Sequence, residues 1–300
     1  MRQGQKVDII GAALGHGAPD PRCAEAPAAL RAAGLLPRLR AAGVDAIWRA
    51  TVRPTTANSR TPLAAVAQVA RDIARLAGES VSRGALPLVL GGDHSCAIGT
   101  WKGVAQALSA PLGLIWIDAH MDAHTPETTE SGRLHGMPLA CVLGYGDASL
   151  TSIAGGARLD PRHVCLVGVR SYEKGEAALL SKLGVRVFPM REVRQRGLET
   201  VLSEAREIAC NGTAGYGISF DLDVIDPAEA PGVGSPVRGG LQAAETIRAL
   251  AGHNADPLLR ALEIVEYNPH LDCAAQTGAL VPAITHALLS PQLALALSPV

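Results

Sequence analysis

The sequence lacks three features that would each indicate a particular class of protein. No uninterrupted apolar run approaches the ~20 residues that a membrane-spanning helix needs. No basic block stands out and the formal net charge is −1, so the clustered positive surface that nucleic acid or an anionic membrane attracts is not indicated. The amino terminus has no secretory signal. We therefore expect a cytoplasmic protein whose partners include neither nucleic acid nor a membrane.

Cysteine is sparse as well. The six cysteines are scattered, and no C-x-x-C pair occurs among them. This spacing is typical of buried, reduced thiols rather than of a disulfide framework or a thiolate metal site. The composition, 48% hydrophobic and 18% charged, is that of a globular protein.

Short apolar runs alternate with helical patterns along the 300 residues. The predicted strands are 7–13, 44–52, 86–90, 114–117, 163–169, 185–188, 216–220 and 261–265. The predicted helices are 26–34, 62–83, 95–108 with Ser95 as its cap, 175–183, 198–208, 241–251 and 277–289. Such alternation predicts a mostly parallel sheet covered by helices on both faces. Because no repeat or linker interrupts the pattern, we predict one α/β domain of three layers, α/β/α, over residues 1–300.

The polar residues that carry chemistry come directly after predicted strands. The strand 114–117 stops at Asp118-Ala-His120-Met-Asp122, and on an alternating backbone these three ionisable side chains project to the same side. Ligands bind at the carboxyl ends of parallel strands in open α/β sheets. Like-facing acids in an apolar setting are costly to desolvate unless a positive charge lies among them. The stretch therefore predicts a site for a divalent metal.

Two other strand ends add ligands of the same kind. His94 follows one strand within Gly91-Gly-Asp-His-Ser95, and Asp221 and Asp223 follow another. The combined candidate set is two imidazoles and four carboxylates: His94, Asp118, His120, Asp122, Asp221 and Asp223. This hard, oxygen-rich set favours a manganese-like ion over zinc. Six ligands exceed what one hydrolytic ion uses, but they suit two ions if some carboxylates bridge.

Three motifs in this order, Gly-Gly-Asp-His-Ser, Asp-Ala-His-x-Asp and Ser-Phe-Asp-Leu-Asp, resemble the signatures of the arginase/agmatinase ureohydrolase family. The likeness extends through nearly the whole chain and includes residues 131–138, 230–236 and 266–269. The forms Leu-His-Gly-x-Pro, Ala-Pro-Gly-x-Gly-x-Pro and Glu-x-Asn-Pro resemble the arginase branch more than the agmatinase branch.

The resemblance implies an arginase-like fold and two Mn²⁺ ions per subunit. One ion would be held by His94, Asp118, Asp122 and Asp221, and the other by Asp118, His120, Asp221 and Asp223. With these ions the enzyme would release urea from L-arginine and leave L-ornithine. Asp122 would transfer a proton to the leaving nitrogen, His135 would shuttle protons at the pocket mouth, and Glu266 would face the guanidinium. Family members usually form trimers or hexamers, so we expect a homo-oligomer.

The residues that would bind the end of the substrate opposite its guanidino group depart from the arginase pattern. By resemblance the substrate-binding set is His124, Ser131, Arg133, Glu173 and Ser235. His124 and Arg133 stand where arginases usually carry asparagines, and Glu173 alone keeps an acid in a loop where arginases have aspartates.

Several alternatives therefore stay open at this point. One is the same hydrolysis on another small guanidino compound, such as 4-guanidinobutanoate or agmatine. Another is a non-catalytic, metal-stabilised binding protein, against which the retention of all six ligands argues. His124 and Arg133 could be plain surface residues, and Glu266 could serve as a cap or in a salt bridge.

Overall fold

Eight parallel strands form one sheet within the part of the chain that the computed structural model describes, residues 5–57 and 60–291. In chain order they are β1 (Val7–Ala12), β2 (Ala46–Val52), β3 (Leu86–Gly91), β4 (Gly113–Ile117), β5 (Val164–Val169), β6 (Arg186–Pro189), β7 (Tyr216–Asp221) and β8 (Leu259–Val265). Their order across the sheet is β2-β1-β3-β8-β7-β4-β5-β6, and every neighbouring pair is parallel. The predicted parallel sheet is confirmed. The predicted domain of residues 1–300 also includes 1–4, 58–59 and 292–300, which lie outside the described residues.

Eleven α-helices flank the sheet in the same described ranges. They are α1 (Ala26–Ala32), α2 (Leu35–Ala41), α3 (Pro62–Ser82), α4 (Ala97–Ala107), α5 (Pro138–Val142), α6 (Ala148–Thr151), α7 (Lys174–Leu183), α8 (Met190–Arg196), α9 (Leu198–Cys210), α10 (Ala243–Ala251) and α11 (Gln276–Leu289). Helices α3 to α7 pack on one face, and α1, α2 and α8 to α11 pack on the other. This arrangement is the predicted three-layer α/β/α architecture. None of these helices is long and apolar enough to cross a membrane.

Each central strand is buried on both of its faces. In β4, Leu114 and Trp116 contribute to the core beneath α3 and α4, whereas Ile115 and Ile117 contribute to the core beneath α8 and α9. Successive side chains of a strand point to opposite faces, so a strand covered on both sides needs an uninterrupted apolar sequence. That requirement explains why the apolar runs of this chain stop where the polar motifs begin.

Helices α3 and α4 pack closely because α4 carries glycine at the contact. A Cβ atom added to Gly99 or Gly103 would lie 2.3 Å from the carbonyl oxygen of Ala70 or Ala74, respectively. Overpacking of this kind typically costs about 1–3 kcal/mol. The glycines therefore set the position of α4, which directly follows the segment that holds His94.

The observed elements correct the sequence predictions in two respects. Four short helices, α2, α5, α6 and α8, were not predicted, because helices of four to seven residues have few turns and display a helical period only weakly. Ser95 is not the helix cap. Asp93 caps a short 3₁₀ helix, His94–Cys96, by accepting a hydrogen bond from the Ser95 N–H at 3.0 Å, and α4 begins only at Ala97.

Candidate metal centre and substrate pocket

All six predicted metal ligands meet at the carboxyl ends of the neighbouring strands β3, β7 and β4, and Glu266 follows β8 between them. Ligand atoms of His94, Asp118, Asp122 and Asp221 lie within 4.8 Å of one another, and so do those of Asp118, His120 and Asp223. Asp118 belongs to both groups, as a bridging ligand does. Asp221, which the resemblance places at both ions, contributes an oxygen to the first group alone.

The buried imidazole of His94 shows that the first group fits a cation. Ser219 donates its hydroxyl proton to Glu263 at 2.8 Å, so it accepts a hydrogen bond from the Nε2–H of His94 at 2.9 Å. In this tautomer the Nδ1 atom carries a lone pair, and it makes no hydrogen bond within the described part of the chain. One oxygen each of Asp221, Asp122 and Asp118 nevertheless lies 3.0, 3.1 and 3.3 Å from that atom. Four electron-rich ligands facing one point suit a bound metal ion.

The acidity of the carboxylates leads to the same conclusion. Burial, together with the neighbouring charge of Asp118, raises the pKa of Asp122 to about 6. Burial and the charges of Asp223 and Asp118 raise the pKa of Asp221 well above its ordinary value. Carboxylates this close resist ionising together unless a positive charge compensates them. Because the donors are oxygen and imidazole nitrogen, the residues fit a hard divalent ion such as Mn²⁺.

The convergence of Asp118, His120 and Asp122 was predicted, but for a wrong reason. Strand β4 ends at Ile117, so the three residues do not alternate along a strand. Instead Asp118 accepts hydrogen bonds from the Trp116 indole at 2.8 Å and from the His120 N–H at 2.6 Å. Asp122 has a φ of +50°, a strained conformation for a residue other than glycine. The loop, rather than the strand, turns the third ligand inward.

Two glycines allow His94 to reach the site. A Cβ atom on Gly91 would lie 2.6 Å from the Sγ of Cys96, and one on Gly92 would lie 1.9 Å from the carbonyl oxygen of Leu14. The loop after β1 therefore passes against this backbone, where no side chain has room. This close approach is the physical reason for glycine at both positions before Asp93 and His94.

Glu266 and His135 form a buried pair beside the metal ligands. One oxygen of Glu266 accepts a hydrogen bond from the His94 backbone N–H at 2.8 Å and lies 3.2 Å from the His135 Nδ1. Burial alone would lower the pKa of His135, but the hydrogen bond and charge of Glu266 raise it to about 9. Glu266 also has a φ of +65°, so the backbone is strained at the pocket wall. Glu266 thus makes a salt bridge and lines the pocket at the same time.

The cavity above the ligands encloses about 210 Å³. Its lining includes every residue predicted for catalysis or substrate binding: Asp122, His135, Glu266, His124, Ser131, Arg133, Glu173 and Ser235. His124 is buried and Arg133 is exposed, yet both residues line this cavity. Neither is a surface residue remote from the site.

Sequence reasoning missed Glu176, which also lines the cavity. Its carboxylate accepts hydrogen bonds from the backbone N–H groups of Ala123 at 3.1 Å and Glu173 at 2.9 Å. Burial raises its pKa to about 8. The signal for Glu176 is its spacing of three residues from Glu173 at the start of a helix, which is the pattern of a capping box.

The Ser219 and Glu263 pair behind His94 was missed as well. Glu263 lies on β8 and accepts further hydrogen bonds from Thr100 at 2.5 Å and from the Trp101 indole at 3.1 Å. No local pattern marks it, because its partners come from β7 and α4. It orients His94 without lining the cavity.

Comparison with known proteins shows which family this chain resembles. The model of the arginase family matches residues 5–290. The arginase of Bacillus caldovelox is 38% identical over 296 residues, which cover 96% of this chain and 99% of that one. The crystal structure of arginase from Bacillus cereus superposes with a TM-score of 0.88 at 35% identity, covering 95% and 98% of the two chains. The structure of Entamoeba histolytica arginase in complex with L-ornithine has a TM-score of 0.88 at 30% identity, with the same coverage. With a metal-ligand cluster, an adjoining pocket and a match over nearly its whole length, this chain belongs to the arginase family.

Proposed function

We propose that the protein is a binuclear manganese hydrolase that converts L-arginine and water to L-ornithine and urea. The observation that carries the proposal is the buried Nδ1 of His94, which makes no hydrogen bond in the described residues and faces three carboxylates, two of which, Asp122 and Asp221, line a cavity together with Glu266 and His135. The named arginases that resemble this chain over nearly its whole length support the reaction type. One of them, from Entamoeba histolytica, was solved with L-ornithine, the amine that this reaction would release.

The cluster would hold one ion between His94, Asp118, Asp122 and Asp221 and the other between Asp118, His120, Asp221 and Asp223. Two Mn²⁺ ions, when bound, supply the Lewis acidity that makes water nucleophilic near neutral pH. The side chains around the ions would orient the substrate and transfer protons.

Glu266 orients the substrate, because a carboxylate pairs well with a planar guanidinium. Asp122 accepts a proton from the attacking water and passes it to the departing nitrogen. A C–O bond forms, the bond between the guanidino carbon and the chain nitrogen breaks, and urea and an amine result. His135 exchanges protons between the pocket and solvent.

The second candidate function is the same hydrolysis on another guanidino compound, such as 4-guanidinobutanoate or agmatine. The observation that favours it lies in the outer wall of the cavity, by which we mean the lining residues His124, Ser131, Arg133, Glu173 and Glu176. His124 and Arg133 depart there from the arginase pattern, and both line the space that the substrate's far end would fill. A cationic Arg133 favours a substrate that carries a carboxylate, so among these compounds we expect agmatine to be the poorest. The subunit arrangement, a trimer or hexamer, and a cytoplasmic location remain predictions.

A urea-release assay with manganese supplied tests the proposal. We expect turnover of arginine that requires two Mn²⁺ ions per chain by metal analysis of the active protein. One tightly bound zinc with no manganese requirement would contradict the cofactor assignment. The absence of urea from arginine, 4-guanidinobutanoate and agmatine alike would instead favour the metal-stabilised binding protein.

A further inference from the structure

The outer wall of the cavity contains a pair of side chains that joins two loops distant in sequence. The Nε2 of His124 lies 2.8 Å from a carboxylate oxygen of Glu173, and its Nδ1 lies 3.1 Å from the hydroxyl of Thr128. His124 is only 8% exposed, so both of its ring nitrogens are engaged in a largely buried setting. The His124 ring is therefore committed to Glu173 and Thr128.

Because of this pairing, a substrate ammonium group would have to compete with His124 for the carboxylate of Glu173. Glu173 is one of two acids on the outer wall, and it already accepts from His124. The other acid, Glu176, accepts the backbone N–H groups of Ala123 and of Glu173 itself. A substrate ammonium would have to displace or share a charge-assisted hydrogen bond that the folded protein already makes. Such an ammonium gains little from this wall.

A substrate carboxylate, in contrast, would find a cation in this wall that has no partner to give up. Among the charged side chains that line the cavity, all of them in the described ranges, the guanidinium of Arg133 is the one that makes no hydrogen bond or ion pair. The hydroxyl of Ser131 lines the same cavity and accepts the Arg133 backbone N–H at 3.2 Å, which leaves its own proton available to donate. A guanidinium and a hydroxyl together offer the donors that a planar carboxylate binds.

We infer that the outer cavity recognises the carboxylate of the substrate through Arg133 and leaves the α-ammonium group unrecognised, because His124 occupies Glu173. The inference rests on the proposed function and defines its substrate class more closely. That class is the ω-guanidino carboxylic acids, with or without an α-amino group.

Three compounds of equal chain length separate the two recognition elements. L-Arginine carries both charges, 5-guanidinopentanoate lacks the α-amino group, and agmatine lacks the carboxylate. We expect the kcat/KM values of arginine and 5-guanidinopentanoate to lie within about tenfold of each other, and that of agmatine to be at least about tenfold below both, which is the size of one charge-assisted contact. A preference of more than tenfold for arginine over 5-guanidinopentanoate would overturn the inference.

Variants then test the individual residues. For each variant the measure is the ratio of its kcat/KM values for two substrates, because this ratio does not change when part of the enzyme is unfolded or lacks metal. H124N keeps a polar side chain but frees Glu173, so the ratio for arginine over 5-guanidinopentanoate should rise about tenfold. E173Q by itself should change that ratio less than about threefold, and it should remove the gain when added to H124N. The inference would be refuted by an unchanged ratio in H124N or by a large fall of the ratio in E173Q alone. Either result would mean that Glu173 binds the substrate ammonium in the native enzyme.

The role of Arg133 has its own comparison. R133N should reduce the advantage of 5-guanidinopentanoate over agmatine about tenfold. R191N, which removes an arginine from α8 outside this cavity, controls for the change in net charge and should leave the advantage unaltered. If R133N and R191N behave alike, Arg133 does not bind the carboxylate.

Calorimetric Kd values for the same three compounds measure recognition without turnover. The proposed function and the inference about the outer cavity can therefore be refuted independently of each other. If no urea is released but arginine and 5-guanidinopentanoate bind with Kd values within tenfold, the proposed function is wrong and the inference stands. If arginine binds more than tenfold tighter than 5-guanidinopentanoate, the inference is wrong whether or not urea is released.

Discussion

Asp122 has two roles in the proposed reaction, and one substitution removes both. Asp122→Asn takes away the proton acceptor and weakens a metal ligand, so we expect kcat for urea release to fall at least about 10³-fold. The fold should persist, because the residue lies in a loop beyond β4 and not in the core. Asp45→Asn, an exposed residue remote from the cavity, is the matched control. Turnover near the wild-type value with a full metal complement would show that Asp122 is not the proton acceptor.

The His135 and Glu266 pair predicts a measurable dependence on pH. Because the negative charge of Glu266 raises the pKa of His135 to about 9, Glu266→Gln should move that pKa down towards its ordinary value of about 6.5. Nitrogen-15 NMR titration of the metal-free protein reports it directly. Glu25→Gln, which removes an exposed carboxylate beside His270, should leave the His135 titration unchanged. A pKa that stays near 9 in Glu266→Gln would assign the shift to other carboxylates.

The sign of the linked stability effect follows from the same shift. His135 has a higher pKa in the folded protein than in the unfolded chain, so the pair stabilises fully below about pH 6.5 and loses that stabilisation as the pH rises through about 9. The difference in unfolding free energy between wild type and Glu266→Gln should therefore shrink across this window. Urea denaturation at fixed pH values measures it.

At the scale of the elements, Glu263 connects β8, β7 and α4 to one metal ligand. Its carboxylate accepts hydrogen bonds from Ser219, Thr100 and Trp101, and Ser219 in turn orients His94. Glu263→Gln would place an N–H₂ donor among these donors, and the misaligned imidazole should weaken manganese binding about 10–100-fold.

A manganese titration of the metal-free protein checks this prediction. Glu207→Gln, an exposed carboxylate on α9, serves as the control and should keep the wild-type affinity. Equal manganese affinities in Glu263→Gln and wild type would mean that the hydrogen-bond chain does not act on the metal centre.

At the scale of the whole molecule, the metal should stabilise the fold. The six ligands come from segments after three different strands, and their carboxylates repel one another when no cation is present. An ion that binds only the native state at a hundredfold excess over its Kd contributes about 2.7 kcal/mol. Chelation should therefore lower Tm by several degrees in calorimetry, and two equivalents of Mn²⁺ per chain should restore it. His94→Ala should respond to the chelator much less, and an unchanged wild-type Tm would exclude a metal that couples the strands.

The sequence by itself determined the class of fold and predicted which residues cluster as candidate metal ligands. Both depend on local patterns. The buried strands of a parallel sheet must be apolar throughout, so the position where Leu114 to Ile117 gives way to Asp118 marks a strand end. The candidate ligands His94, Asp118 and Asp221 could be named because each lies at such an end or within three residues of it.

Sequence reasoning failed where a helical pattern was short or where two neighbouring residues could each have been the helix cap. Short helices such as α2, α5, α6 and α8 show few turns, and Ser95 was taken for a cap that Asp93 provides. The reason why Asp118, His120 and Asp122 converge was also hidden, because it lies in loop dihedral angles and not in strand alternation.

Only the tertiary structure decided which groups meet. The sheet order places β8 between β3 and β7, and this brings Glu266 to the His94 N–H across 172 positions of sequence. In the same way Glu263 reaches Ser219, and His124 reaches Glu173. Contacts between residues so far apart leave no local period or spacing in the chain, since they depend on the packing of whole elements. The candidate metal ligands can therefore be recognised in the sequence, whereas the contacts around the candidate substrate pocket follow from the fold.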